Sequence, residues 1–344
     1  MSDCGECQSL VASFQERLSS RRVPLQATIE LTYRCNFDCV HCYNVKSRVG
    51  GELSLDEWTG VLDQLASEGC VLLTFTGGEP LVHPDFFAIA EAARKRRFAI
   101  KLLTNASLVT EAIADRLCGL QPLQIDVSFY GATDATFADV TGRADGFQRT
   151  YDGVRRLRAR GLRVIAKVPL LRENFHERWE IEKLALELSD AVRVSDDIFP
   201  KDDGDPAPQE HALTDAQLAV WLTETKTAAR PERHYRPEDK LCRPGTMAVA
   251  FGPQGDVYPC IQIKRPMGNL RERSFRDIWN DPAIDELTGL RAGDFHTCSG
   301  CGSFGSCKPC LGVSLRENGT LTGNNREGCR REAVRSSLAL PILT

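Results

Sequence analysis

The chain predicts an α/β protein built on a parallel sheet, followed by a cysteine-rich C-terminal region. Between residue 24 and about residue 230, six short apolar runs alternate with amphipathic stretches, and no two runs are joined by hairpin turn signals. Cysteines then crowd the C-terminal part, with seven of the chain's 14 lying at or after position 242. At 344 residues, 42% hydrophobic and 26% charged, the chain is long enough for a large core plus a smaller domain. The organisation expected is an N-terminal extension over 1–23, a barrel-like domain over 24–230, a cysteine-rich domain over 231–335 and a tail over 336–344.

Candidate strands are 26–32, 71–76, 99–103, 123–129, 163–168 and 192–196. The clearest helix between them opens at Ser54-Leu-Asp-Glu57, a capping box, and stops at Gly69. In a curved or barrel arrangement of such units, chemistry belongs at the C-terminal ends of the strands. The unusual residues fall there. A three-cysteine loop follows the first strand, Gly77-Gly78-Glu79-Pro80 the second and Thr104-Asn105 the third, while Ser128 and Tyr130 close the fourth. Residues 199–212, rich in Pro, Asp and Gly, read as a loop beside that end, with a helix after Thr214 and a hinge near Arg230-Pro231. The acids of this loop either steer a cationic substrate or belong to a solvated connection.

The three-cysteine loop is Cys35-Asn-Phe-Asp-Cys39-Val-His-Cys42-Tyr43. Thiolates this close together each bind one iron of a cubane cluster, because soft sulfur ligands favour iron–sulfur sites. The loop supplies no fourth cysteine, so one iron is left open to a ligand that is not protein. The competing reading is a zinc loop or a redox thiol group, although structural zinc takes a fourth protein ligand and paired knuckles. In Gly77-Gly78-Glu79-Pro80, two glycines let the backbone approach a ligand, and the carboxylate beside them can accept from an ammonium group.

The spacing C-x3-C-x2-C followed by an aromatic resembles the signature of the radical S-adenosylmethionine (radical SAM) superfamily. The resemblance implies a partial (β/α)6 TIM-like barrel over about residues 24–230, with a C-terminal iron–sulfur domain. It implies that Cys35, Cys39 and Cys42 hold a [4Fe–4S] cluster whose open iron chelates the amino and carboxylate groups of SAM. An electron from that cluster breaks the sulfur–C5′ bond and gives a 5′-deoxyadenosyl radical. Gly77, Gly78, Glu79 and Pro80 would hold the methionine amine, Ser128 would meet the ribose, and Arg143 would pair with the SAM carboxylate. Asn105, Lys167 and Val168 lie at strand ends within reach of ribose or adenine, or are ordinary loop and strand residues. His41 would sit near adenine, with the contact made largely by backbone.

The second array runs Cys242, Gly255, Cys260, Cys298-x2-Cys301-x5-Cys307-x2-Cys310 and Cys329. It resembles the SPASM domain, a C-terminal extension of radical SAM enzymes that holds two auxiliary [4Fe–4S] clusters. The usual pattern has three residues between the fifth and sixth cysteines where this chain has two. The resemblance assigns Cys242, Cys260 and Cys310 to one cluster, its fourth iron open or completed by another residue, and Cys298, Cys301, Cys307 and Cys329 to the other. Cys4 and Cys7 form a C-x2-C pair that either folds across or belongs to a disordered terminus. Zinc ribbons are the competing reading of the array. Cys70 and Cys118 lie in apolar contexts and read as core residues.

SPASM proteins mostly modify ribosomally made peptides or proteins, so the resemblance implies a radical SAM peptide or protein maturase forming an oxidative crosslink or altering a side chain. The alternative enzyme is an anaerobic sulfatase-maturating type that makes formylglycine. A non-catalytic electron carrier has no need of Gly-Gly-Glu-Pro or an open cubane. No catalytic acid or base is identified. The composition fits an intracellular enzyme: the start lacks a signal peptide, no apolar stretch approaches a membrane span, and 14 cysteines in a reducing compartment read as metal ligands. A net charge of −4 gives no general attraction to nucleic acid, and the basic runs at 94–97 and 155–158 read as solvated helix faces. About 24 residues precede the first strand, so leader binding is expected to fall to a separate leader-peptide-binding protein, and electrons to come from a flavodoxin- or ferredoxin-like reductant.

Overall fold

Alternate residues of each strand point to opposite faces of the sheet, a helix-facing side and an inner side. The computed structural model describes residues 17–45, 48–225, 235–304, 307 and 309–338. Its first six strands are β1 (Gln26–Thr32), β2 (Leu72–Gly77), β3 (Ala99–Thr104), β4 (Gln124–Ser128), β5 (Val164–Pro169) and β6 (Ala191–Ser195). Each lies within one residue of the run expected from the sequence, and each pairs in parallel with its neighbour in chain order. Ile29, Leu31, Phe75, Leu102, Val127 and Val168 are buried against the helices. The alternate residues face inward, giving a partial (β/α)6 barrel with β1 and β6 unpaired to each other.

The covering helices are α1 (Leu55–Ser67), α2 (Phe86–Lys95), α3 (Glu111–Leu120), α4 (Asp134–Thr141), α5 (Gly146–Ala159), α6 (Arg178–Leu188) and α7 (Asp215–Glu224). Ser54 and Glu57 close a reciprocal capping box at α1, and Thr214 with Gln217 does the same at α7. The basic runs are helix-face charges in ion pairs, such as Arg96 with Asp63 at 2.6 Å and Arg156 with Glu111 at 3.1 Å. Cys70 is buried, and its thiol is pushed up to about 12 by burial.

The C-terminal region continues the same sheet. Strand β7 (Ala248–Phe251) pairs in parallel with β1, and β8 (Asp256–Tyr258) and β9 (Gly268–Asn269) follow antiparallel, giving the order β6-β5-β4-β3-β2-β1-β7-β8-β9. The sequence reading did not include these strands. They are only four, three and two residues long, too short for a periodic signal. Beyond them lie α8 (Phe275–Trp279), α9 (Leu311–Asn318) and α10 (Arg326–Ser337), the last packed on α7. The hinge expected at Arg230-Pro231 and the pair Cys4 and Cys7 lie outside the described residues.

A buried ion network ties this region to the barrel. Lys264 Nζ donates to Glu30 Oε2 of β1 at 2.5 Å and lies 3.2 Å from Asp202 Oδ2, while Arg316 of α9 meets Asp202 Oδ1 at 3.1 Å. All four side chains are at most 4% exposed. Arg316 also donates to the Pro200 carbonyl at 3.2 Å and to Gln262. Burial raises the Glu30 and Asp202 carboxyls, and the cations beside them oppose that rise. Asp202 therefore does not steer substrate. It is neutralised inside the protein, as Asp205 is neutralised by Lys201 at 2.7 Å.

Removing one member of a buried ion network leaves a desolvated charge behind. Lys264→Met is therefore expected to lower stability by about 3–5 kcal/mol, and Lys264→Met combined with Glu30→Gln to recover much of the loss. Urea unfolding of the anaerobic holoprotein checks this, and equal losses in the single and double variants would refute it.

Candidate functional site

The three-cysteine loop has no regular secondary structure, so its shape must come from bonds to its surroundings. Asp38 and Val40 donate their amides to the Thr141 and Val140 carbonyls at the end of α4, at 2.9 and 3.0 Å. Asn36 Nδ2 donates to Ser107 Oγ at 2.8 Å and its Oδ1 accepts from Asn105 Nδ2 at 2.9 Å, while Asn105 Nδ2 also lies 4.0 Å from Cys35 Sγ. The Tyr43 carbonyl accepts from the Asp202 amide at 2.9 Å. Phe37 and Val40 pack with Phe137 and Leu171 in a small apolar cluster of their own. Cys35 is exposed and Cys39 and Cys42 are half-buried, so the loop presents sulfur at the open end of the barrel.

The Gly-Gly-Glu-Pro turn closes on that loop. Gly78 donates to the Thr32 carbonyl at 2.7 Å and Glu79 to the Arg34 carbonyl at 2.9 Å. Gly77 has φ +124, and a Cβ there would lie 2.3 Å from Thr32 O; one on Gly78 would lie 2.1 Å from Arg34 O. The glycines thus let the turn touch the backbone leading into Cys35. Asn44 Nδ2 donates to the Gly77 carbonyl at 2.8 Å, locking the far end of the loop to the same turn.

Glu79 is fully buried and its oxygens are occupied by the chain itself. Oε1 accepts from Thr104 Oγ1 at 2.7 Å and from the Leu81 amide at 3.1 Å, and Oε2 from the Asn105 amide at 2.7 Å. Burial pushes its carboxyl up to about 6, against these hydrogen bonds. Glu79 thereby joins the end of β2 to the end of β3, and through Asn105 to Asn36 and Cys35. Pro80 opens the single 3-10 turn that follows and is buried.

The other expected cofactor residues divide by strand parity. Ser128, half-buried, and Lys167 are opposite each other on the inner face of β4 and β5, and Lys167 Nζ lies 3.5 Å from Asp126 Oδ2. Val168 points the other way, its side chain buried in the sheet–helix core, so only its backbone is available to a ligand. Arg143 follows Gly142 at the end of α4, next to the loop, with its Nε on Asp145 Oδ1 at 2.7 Å. The His41 ring packs on Tyr130 at 5.3 Å, and burial pushes its imidazole down to about 4, with His211 adding to the effect.

The seven C-terminal cysteines sort into two groups. Cys260 is raised by burial and by the adjacent Cys242 and Cys310 thiols. Cys307, pushed up to about 11, feels burial, Glu332, Cys329, Cys298 and Cys301, and Cys298 in turn feels burial, Cys329 and Cys301. Cys310 precedes α9 and reaches the Cys260 segment because Gly312 has no side chain: a Cβ there would lie 2.1 Å from Gln262 O. Asn325 holds Cys310 in place, accepting from its amide at 2.6 Å. Among the described residues no three Cys, His, Asp or Glu side chains converge on a single metal ion.

Sequence reasoning missed Glu30, Lys264 and Asp202. A glutamate inside the apolar run 26–32 was the local signal for the first. For the other two there was none, because their partners lie far along the chain.

Fold and thiol arrangement together define a class, the iron–sulfur enzymes built on a partial barrel. Residues 29–185 match the radical SAM superfamily and residues 242–302 match SPASM, an iron-sulfur cluster-binding domain. The chain belongs to the radical SAM superfamily and carries a SPASM region. It is 27% identical to an AdoMet-dependent heme synthase of Methanosarcina barkeri over 74% of this chain and 82% of that one. It is 28% identical to the mycofactocin maturase MftC of Mycobacterium tuberculosis, over 87% and 80% of the two chains. The PqqA peptide cyclase of Xanthomonas euvesicatoria is 29% identical over 85% and 84%. Among solved structures, Streptococcus suis SuiB bound to the precursor peptide SuiA superposes with a TM-score of 0.69 at 16% identity, covering 96% of this chain and 82% of that one.

In Glu79→Gln an NH2 group would face a backbone donor, the Asn105 amide in one orientation or the Leu81 amide in the other. Losing that acceptor costs about 1–3 kcal/mol. The expected result is weaker SAM binding together with fewer irons at the Cys35 loop, measured by iron analysis and equilibrium binding. Full iron content with weaker SAM binding would instead put the carboxylate on the cofactor.

Proposed function

We propose that this enzyme modifies a ribosomally made peptide or protein by radical SAM chemistry, forming an oxidative crosslink or altering a side chain. The observation that carries the reading is the three-part thiol arrangement: a loop of Cys35, Cys39 and Cys42, a trio of Cys242, Cys260 and Cys310, and a quartet of Cys298, Cys301, Cys307 and Cys329. In this reading residues 24–230 form the SAM-binding unit and 231–335 the auxiliary unit. When bound, the first [4Fe–4S] cluster supplies the electron that cleaves SAM to a 5′-deoxyadenosyl radical, and two auxiliary clusters accept the electron left on an oxidised substrate.

The chain's own residues then hold and orient. The Gly77–Pro80 turn and Arg143 would flank the methionine end of SAM, Ser128, Lys167 and Asn105 its ribose side, and His41 and the Val168 backbone its adenine side. Asn36 and Asn105 fix the direction of Cys35. Phe37, Tyr130 and Phe137 form the apolar wall behind the loop that limits water there. A flavodoxin- or ferredoxin-like reductant and a separate leader-peptide-binding protein complete the system, in the cytoplasm, where thiols stay reduced.

The substrate class rests on the relatives. The heme synthase aligns over 74% of this chain, whereas the mycofactocin maturase and the PqqA peptide cyclase align over 87% and 85%, and SuiB is seen with a precursor peptide. No described helix is long and apolar enough to cross a membrane.

Anaerobically reconstituted enzyme is expected to hold about twelve irons per chain, about four of which disappear in the Cys35, Cys39, Cys42 triple Ala variant along with all SAM cleavage. Replacing Cys298 and Cys301 by Ala should leave 5′-deoxyadenosine formation in place and stop formation of oxidised peptide, with circular dichroism confirming the fold. Zinc in the C-terminal array would overturn the auxiliary-cluster assignment, and turnover of an iron tetrapyrrole in place of peptide would overturn the substrate class.

A further inference from the structure

The inner face of the barrel carries charge that no cofactor residue named above accounts for. In β6, Val192 and Val194 pack toward the helices, so Ala191, Arg193 and Ser195 face inward, and Arg193 and Ser195 are exposed there. Arg193 stands directly opposite Lys167 in the β5–β6 pairing, and Lys167 directly opposite Ser128. Lys101 faces the same interior deeper down, opposite Thr74 and Gln124.

Side chains directly opposite in a sheet lie about 5 Å apart at Cβ, and like charges so placed destabilise it. Lys167 has one acid within reach, Asp126, and that carboxylate is shared with Gln124 Nε2 at 2.6 Å. Among the described residues Arg193 and Lys101 have no hydrogen-bond or ion-pair partner. The acids flanking β6 in sequence are taken elsewhere, Asp190 by Arg158 at 2.5 Å and Asp196 and Asp197 by Arg331 at 2.7 and 2.8 Å, and the interior Glu30 is neutralised by Lys264. On the β5–β6 side Arg193 is thus left without a counter-charge, beside the strand ends where SAM is read to lie.

We infer that Arg193, with Lys167 beside it, binds a carboxylate of the substrate inside the barrel, so that the segment presented to the radical is an acidic residue or a free C-terminus. The planar guanidinium fork suits bidentate carboxylate recognition, and the low-dielectric walls strengthen it. This rests on the peptide-modifying reading and is opposite in sign to the reading, open in the sequence, that acids of the 199–212 loop steer a cationic substrate. Asp202 and Asp205 of that loop are paired with cations of the protein, whereas Arg193 in the lumen is not paired.

The test uses the reconstituted, SAM-loaded enzyme and a random decapeptide library, prepared once with free and once with amidated C-termini. Support is enrichment of Asp or Glu in both preparations, which assigns a side chain, or recovery from the free-terminus preparation alone, which assigns the C-terminus. A recovered peptide should bind Arg193→Gln about tenfold to a hundredfold more weakly, with SAM binding measured in parallel. Recovered peptides without carboxylate preference, a preference unchanged in Arg193→Gln, or a loss of SAM affinity in place of peptide affinity would each overturn the inference while leaving the peptide reading intact. An enzyme that cleaves SAM and retains no peptide at all would overturn both.

Discussion

Two carboxylates and two cations buried between the barrel and the cysteine-rich region hold the molecule's working parts in register. Glu30 comes from the middle of β1, five residues before Cys35, and Lys264 from four residues after Cys260. Taking such charges out of water is costly, and the cost is offset only when each finds its counter-charge with good geometry. The network therefore tolerates one arrangement of the two regions and penalises others. Arg316 extends the constraint to α9, which begins just after Cys310, and Asp202 extends it to Tyr43, the residue after Cys42. Two of the three thiol groups, the Cys35 loop and the trio that includes Cys260 and Cys310, are thus connected to a small number of fixed charges and to the sheet they sit upon.

The second constraint is local and concerns a loop without secondary structure. Its amides and side chains are bound by the end of α4, by Asn105, by the glycine turn and by Asp202, so the direction of the thiols is set by the chain around them. Preorganisation of this kind depends on residues that touch no ligand themselves. Glu79 contributes to it as a buried carboxylate that accepts from three donors of its own chain and holds the strand end that carries Asn105.

Six barrel strands could be read within a residue because each combines β-branched and aliphatic residues in a short run bounded by helical stretches, a signal that is local by nature. The grouping of the cysteines came from the resemblance to the SPASM domain; in the structure Cys260 lies near Cys242 and Cys310, and Cys307 near Cys298, Cys301 and Cys329. What escaped was long-range. That Asp202 would be buried depended on Lys264 and Arg316, 62 and 114 positions away, and its neighbourhood of Asp, Pro and Gly looked like a solvated loop. The reason for the two glycines of the turn lay in the backbone of residues 32–34, which no sequence pattern announces. Strand parity could have placed Val168 away from the barrel interior, since Lys167 and Val168 must point to opposite faces.

An incompletely closed barrel has a liability that a closed one lacks, namely two free sheet edges able to recruit strands from other molecules. Here one edge moves out to β9, which is two residues long and offers almost no template. The other is β6, which bears Arg193 within it and the Asp196 and Asp197 pairs with Arg331 at its end. Charge on an edge strand discourages pairing with a second copy. The sideways opening of the barrel can therefore persist in a crowded solution without becoming a site of aggregation.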